Sequence, residues 1–269
     1  MVDNVHAVWQ IKRMDLLFLG TGTSVGIPMI GCGCAVCTSG DARNVRRRSS
    51  LYVSTAETAF VIDTPPDFRQ QMLDYDIGRC HAVLFTHAHA DHIFGFDDIR
   101  RFNTIHQRVL PAYAEAATLA SIRHVFSYID NKPTHEGLYR AQIDFIEVRG
   151  PFAVGDVRVT PLKVEHGAAM TGYLLEHNGA RAGYVPDCTR LPPETIEQLR
   201  GVDVMILDCL RYRPHPAHLN VEQSLAYLSQ IQAKRSYLTH LCHDVDHAAL
   251  AATLPEGVCV SYDGLRLEA

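Results

Sequence analysis

The stretch Thr86-His87-Ala88-His89-Ala90-Asp91-His92 decides how this chain is read, because it sets three histidines and an aspartate directly behind an apolar run. The preceding His81-Ala-Val-Leu-Phe-Thr86 has the pattern of a short buried strand. In extended chain, side chains two positions apart project to the same side, so His87 and His89 can share one metal ion. Asp91 and His92 come after the chain must turn toward the polar, Gly95-containing stretch from Ile93 to Asp98. They face the pocket from another direction and can hold a second ion beside the first. With fifteen histidines in the chain an isolated His-x-His pair is unremarkable, but this ordered set behind a strand is hard to ascribe to chance.

Three later segments also end in metal-ligand residues. Val157-Arg-Val-Thr-Pro-Leu-Lys-Val164 alternates like a strand and runs into Glu165-His166-Gly167; Arg181-Ala-Gly-Tyr-Val185 runs into Pro186-Asp187; Ser236-Tyr-Leu-Thr239 runs into His240. His-x-His-x-Asp-His followed by this series resembles the metallo-β-lactamase superfamily. The resemblance implies that His87, His89 and His166 bind one ion, that Asp91, His92 and His240 bind the other, and that Asp187 bridges them. The chain has Pro186-Asp187 where Ser-Asp is more usual in that family.

Gly31-Cys32-Gly33-Cys34-Ala35-Val36-Cys37 is a second cluster, a Cys-x-Cys-x-x-Cys run in a glycine-rich loop. Three thiolates this close can converge on one ion, and structural zinc is ordinarily closed by four Cys or His ligands. The missing ligand has candidates in Leu241-Cys242-His243, just past His240. Here the chain resembles one branch of the superfamily, the cyclic-phosphate phosphodiesterases related to the phosphoribosyl 1,2-cyclic phosphate phosphodiesterase of phosphonate breakdown. In that branch a His three positions after the last catalytic ligand closes the three-Cys loop, which selects His243. The resemblance runs from about Leu17 to Gly264 and includes Leu19-Gly20-Thr21-Gly22-Thr23, Arg46-Arg47-Arg48-Ser49-Ser50 and Ser261-Tyr262-Asp263-Gly264. The alternative reading of Gly20-x-Gly22-x-x-x-Gly26 as a dinucleotide-binding turn fails, because these glycines lead into the cysteine loop instead of opening a helix.

Composition agrees with one α/β domain over residues 1–269. There is no internal repeat and no long low-complexity run. A net charge of −5 disfavours a general nucleic-acid binder. Arg46-Arg47-Arg48 reads either as a phosphate contact or as a solvated surface. No signal-peptide core or bilayer-length apolar run is evident, so the expected compartment is the cytoplasm and no membrane partner is expected. Reduced thiols are the rule there, so the eight cysteines point to metal binding by the clustered ones and ordinary burial for Cys80, Cys188, Cys209 and Cys259.

Strands are expected near Asp15 to Leu19, Ser50 to Val53, Ala59 to Ile62, Ala82 to Phe85, Val157 to Val164, Thr171 to Glu176, Ala182 to Val185, Val204 to Leu207 and Ser236 to Leu238. Helices are expected over Tyr113 to Phe126 and Val221 to Ile231, where apolar residues return every three or four positions. This order suits two sheets between helices, the four-layer αββα sandwich that the resemblance implies, with ligand-bearing loops at one sheet edge. Asp63 and Asp208 follow strands on that edge and read either as residues that orient histidine ligands or as turn formers.

Two divalent ions, Mn²⁺ or Zn²⁺, can activate a shared water as a bridging hydroxide and stabilise charge on a phosphoryl or carbonyl oxygen. In Arg211-Tyr-Arg-Pro-His215-Pro-Ala-His218-Leu-Asn220, His218 matches the family position of a histidine that contacts phosphate and can protonate a leaving alkoxide. His215 can substitute for it, and a helix-capping role for His218 is the plainer alternative. The expected activity is opening of a small cyclic ribose or nucleotide phosphate to a monoester, with one structural zinc, a small phosphorylated partner and a homodimer compatible with the reading. Alternatives are a transfer-RNA 3′-end endonuclease, disfavoured because Phe94 to Arg149 lacks a basic glycine-rich arm, a thioester or lactone hydrolase, and a non-catalytic metal-stabilised binding module.

Overall fold

A computed structural model describes residues 13–129, 140–167 and 169–269. The stretch read for a signal-peptide core begins outside these residues, and part of the segment read for a basic arm lies outside them too.

The first half of the chain runs β1 (Asp15–Gly20), β2 (Ser50–Ser54), β3 (Ala59–Ile62), α1 (Phe68–Asp74), β4 (Ala82–Leu84), α2 (Ala90–Ile93), α3 (Arg100–His106), β5 (Leu110–Ala114), α4 (Ala116–Val125) and β6 (Ile143–Glu147). The second runs β7 (Phe152–Val154), β8 (Val157–Glu165), β9 (Ala169–His177), β10 (Ala180–Val185), α5 (Pro193–Leu199), β11 (Val204–Asp208), α6 (Val221–Ile231), β12 (Arg235–Thr239), α7 (His247–Ala251), β13 (Val258–Val260) and β14 (Arg266–Glu268). Among the described residues they form two seven-stranded sheets, ordered β14-β1-β2-β3-β4-β5-β6 and β13-β12-β11-β10-β9-β8-β7.

Period-two alternation explains the layers. In β1, Leu16 and Phe18 face the other sheet while Leu17 and Leu19 face helices; β3 divides Phe60 and Ile62 from Ala59 and Val61 in the same way, and β11 divides Val204 and Ile206 from Met205 and Leu207. Stretches of strand buried on both faces must be apolar, as Leu16 to Leu19, Ala59 to Ile62 and Val204 to Leu207 are. The inner layer joins the sheets through Phe18, Leu51 and Phe60 against Tyr173, Tyr184 and Tyr237. Outside, Phe68, Phe102 and Ile122 cover one sheet and Leu199, Leu228 and Leu250 cover the other. The result is the expected four-layer αββα sandwich.

α6 begins where expected because Asn220 and Gln223 form a reciprocal capping box, and it ends at Gln232 in the left-handed region. The helix expected over Tyr113 to Phe126 is shorter: Tyr113 and Ala114 close β5, which pairs in parallel with β4 and β6, and the helix starts at Ala116. Sheet pairing overrides the helical periodicity there. Cys80, Cys188 and Cys209 are buried as expected, but Cys259 is exposed, because β13 is an edge strand and residue 259 faces outward. No helix among the described residues is long and apolar enough to cross a membrane.

Candidate metal centre

Ligand residues collect where strands of both sheets end. His87 and His89 follow β4, with Asp91 and His92 on the short α2; His166 follows β8, Asp187 follows β10, and His240 follows β12. The ligand atoms of His87, His89, His166 and Asp187 all lie within 4.8 Å of one another, and so do those of Asp91, His92, Asp187 and His240. The split read from the sequence is therefore the split in space, with Asp187 common to both sets. All seven are buried except His89, which is exposed at the mouth.

The outer hydrogen bonds fix where the ring protons sit. Nδ1 of His92 donates to Asp63 Oδ2 at 2.8 Å, and Nδ1 of His166 donates to the Ala217 carbonyl at 2.9 Å. The Thr86 hydroxyl donates to Asp63 Oδ2 at 2.8 Å, which leaves Oγ1 to accept Nδ1–H of His87 at 3.0 Å. Each of these rings then turns its Nε2 lone pair inward, to 3.5, 3.2 and 3.5 Å from Asp187 Oδ2 for His87, His92 and His166. Lone pairs crowded against a carboxylate repel unless a cation lies between them. His92 Nε2, Asp187 Oδ1 and both ring nitrogens of His240 are buried without a hydrogen-bond partner among the described residues, a cost that coordination of a cation removes. The donor set fits divalent metal ions.

Proton affinities carry the same message. Burial acts to lower His92, yet Asp187, Asp63 and Asp91 raise it well above the usual imidazole range. His240, against the same burial penalty, is raised to about 9 by Asp187, Asp91 and Asp208. Burial acts to raise Asp187, but His240, His92 and His87 hold it well below the usual carboxylate range. His87 is lowered by its burial and by His92. The cleft attracts positive charge.

Asp63 hydrogen-bonds His92, a histidine of the proposed ligand set, whereas Asp208 hydrogen-bonds His218, which lies outside that set. Asp63 makes its bond from φ 65°, a left-handed conformation that aspartate tolerates, and its Oδ1 also accepts Thr86 N at 2.8 Å. Asp208 Oδ2 accepts His218 Nδ1 at 3.1 Å together with the backbone N–H of Cys188 and Leu219. His218 stands at the rim, its ring 4.8 Å from that of His166 and stacked 4.6 Å from that of His240. His215 lies one ring farther out, 5.2 Å from His218, and its Nδ1 accepts Ala217 N–H at 3.2 Å, which puts its proton on Nε2. Thr86 and the Ala217 carbonyl escape sequence reading, because a threonine at a strand end and a main-chain oxygen carry no pattern.

The structure also brings the second candidate cluster together. His243 Nδ1 lies 3.2 Å from Cys32 Sγ and 3.6 Å from Cys34 Sγ, and Cys37 Sγ belongs to the same set, whose members lie within 4.8 Å of one another. Cys242, the other candidate, instead receives the Asp244 N–H. Within the cluster two backbone N–H groups point at sulfur, Cys37 N at Cys34 Sγ (3.4 Å) and Met29 N at Cys37 Sγ (3.3 Å). The Cys37 N–H lowers the Cys34 thiol to about 6, while burial raises Cys37. No Cys pair is joined in a disulfide among the described residues.

The three arginines do not act alike: Arg46 is turned inward, while Arg47 and Arg48 stay partly exposed in surface ion pairs. Arg47 and Arg48 pair with Asp74 and Asp67 at 2.5 and 2.9 Å, and Arg46 is buried. Gly20 and Gly22 lie against their backbone: a Cβ on Gly20 would collide with the Arg48 carbonyl, and one on Gly22 would meet the Arg46 carbonyl at 2.8 Å. Close approach, not nucleotide binding, accounts for those glycines.

Residues 58–241 match the family described as beta-lactamase superfamily domain. An octanoyltransferase from Porphyromonas gingivalis is 37% identical over 256 residues, which cover 94% of this chain and 51% of that protein, so the chain spans about half the length of that relative. Among solved structures, a diphosphatase of the PhnP family is 37% identical with a TM-score of 0.87, covering 96% of this chain and 97% of that one. Zn²⁺-bound PqqB from Methylobacterium extorquens, 23% identical, shares the fold with a TM-score of 0.75 over 95% of this chain and 100% of its own. With two strand-end ligand sets sharing Asp187, a family match across most of the chain and a relative aligned along its whole length, this chain belongs to the metallo-β-lactamase superfamily, in its PhnP family.

Proposed function

We propose that the chain is a single-domain, metal-dependent phosphodiesterase that opens a small cyclic phosphate of ribose or a nucleotide to a monoester. His87, His89 and His166 would hold one divalent ion and Asp91, His92 and His240 a second, with Asp187 reaching both. Bound there, Mn²⁺ or Zn²⁺ lowers the pKa of water and offsets charge on a phosphoryl oxygen. Cys32, Cys34, Cys37 and His243 would hold one zinc that serves structure, since a filled four-ligand shell leaves no position for water.

The observation that carries the reading is His218. Its Nδ1–H is committed to buried Asp208, so Nε2 is the nitrogen free to face a substrate, next to ligands of both sets. A proton on Nε2 would pass to the leaving ribose oxygen, the step a poor alkoxide leaving group needs. His215 suits a different task. The Ala217 N–H on its Nδ1 leaves Nε2–H as a fixed neutral donor, and burial, His218 and Arg211 lower its proton affinity. It would bind a phosphoryl or sugar oxygen through that N–H. The PhnP-family diphosphatase relative supports a small phosphorylated substrate over a thioester.

Purified protein loaded with Mn²⁺ or Zn²⁺ and assayed against cyclic ribose and nucleotide phosphates, linear diesters, precursor tRNA and thioesters tests this reading. Turnover should be highest on a cyclic phosphate. Faster cleavage of tRNA 3′ ends or thioesters would replace the reading, and the absence of any metal-dependent turnover would favour a binding module.

A further inference from the structure

Arg46 is 1% exposed and has no carboxylate within ion-pair distance among the described residues. Burying a guanidinium without an acid is costly, so what it holds matters. Nη1 donates to the Val245 carbonyl at 2.9 Å and the Cys242 carbonyl at 3.4 Å, and Nη2 donates to Asn44 Oδ1 at 3.1 Å. The two carbonyls bracket His243. Asn44 extends the grip, accepting His247 N–H at 2.9 Å and donating to Asp246 Oδ2 at 2.8 Å. The Arg46 backbone meanwhile pairs with Ile27 in both directions at 2.8 Å, and Ile27 packs with Val36 and Cys37, with Cys32 and Cys34 at the edge of the same cluster. One residue thus ties the loop that bears three thiols to the turn that bears the histidine, across about two hundred positions of sequence.

We propose that Arg46 is a positioning residue for the Cys32, Cys34, Cys37 and His243 metal site: its fork fixes the turn that keeps His243 Nδ1 beside the thiolates. The inference rests on reading that cluster as a zinc site.

Cobalt(II) titration of the full-length protein against a competing chelator tests it, because thiolate-to-cobalt charge transfer reports the cysteine set separately from the His/Asp cleft. Arg46→Met should bind cobalt there about 10–100-fold more weakly, the range for loss of a group that orients a ligand. Its d–d bands should move toward those of His243→Ala, and in a His243→Ala background it should cause little further loss. Arg46→Lys, which keeps the charge but not the fork, should fall between, and Asn44→Ala should move the spectrum in the same direction even if Arg46→Met does not fold. If the wild-type protein shows no thiolate–cobalt band, the zinc reading fails and this proposal with it. If it does, and the Arg46 and Asn44 variants keep wild-type affinity and spectrum, the zinc reading stands and Arg46 is only a core residue.

Discussion

The His/Asp cleft, with two candidate ligand sets of four that share Asp187, and the Cys/His cluster, with one set of four, are assembled in opposite ways. The cleft draws ligands from four strand ends across two sheets, buries six of its seven residues and backs its histidines with Asp63, Thr86 and the Ala217 carbonyl. In the Cys cluster three ligands lie within one surface loop, steadied by main-chain N–H groups, and one comes from a distant turn. Ligands spread over a rigid scaffold suit a site that must hold atoms in place during a reaction. Ligands concentrated in a loop suit a clip that closes a long stretch of chain.

The contrast predicts that damage to each site has a different consequence. Asp187→Ala removes the residue common to both ligand sets and should abolish turnover, with metal analysis showing loss from the cleft while the Cys-bound ion remains; full activity would break the comparison. His218→Ala should keep its metals but slow hydrolysis of substrates with poor leaving groups by roughly 10²–10⁴-fold, and an activated aryl phosphodiester much less. Equal loss on both substrates would remove the proton-donor role, and lost metal would make His218 a ligand. Asp63→Asn should weaken metal binding in the cleft by about 10–100-fold through His92, measurable as the metal concentration needed for half-maximal rate. The smallest effect on chemistry should come from Cys34→Ala, which should lower zinc content and melting temperature while the folded fraction turns over at a rate of the same order as wild type.

Both sites were legible in the sequence for the same reason: metal ligands are chemically distinctive, and strand ends punctuate them. The run from His87 to His92 carried its own two-way division, because the chain passes from extended backbone into α2 between His89 and Asp91. Burial was legible where both faces of a strand are apolar, as in β1 and β11. What escaped depends on partners far away in sequence. The end of β5, Tyr113 and Ala114, was read as the start of a helix and the rest of it was given no element, because an alternation this short is visible only once β4 and β6 flank it. The short edge strands β7, β13 and β14 are three residues each, too brief to show a period. Arg46 is indistinguishable in sequence from Arg47 and Arg48, although one lies in the interior and two pair at the surface.

The central claim, that the cleft is a two-ion centre for phosphodiester hydrolysis, is tested most directly by titrating Mn²⁺ into protein whose cleft has been emptied with a chelator while the Cys-bound zinc is retained. Phosphorus NMR would follow a ribose cyclic phosphate during the titration. The account predicts a monoester product whose rate of formation saturates at two ions per chain; saturation at one ion, or no monoester at any loading, would contradict it.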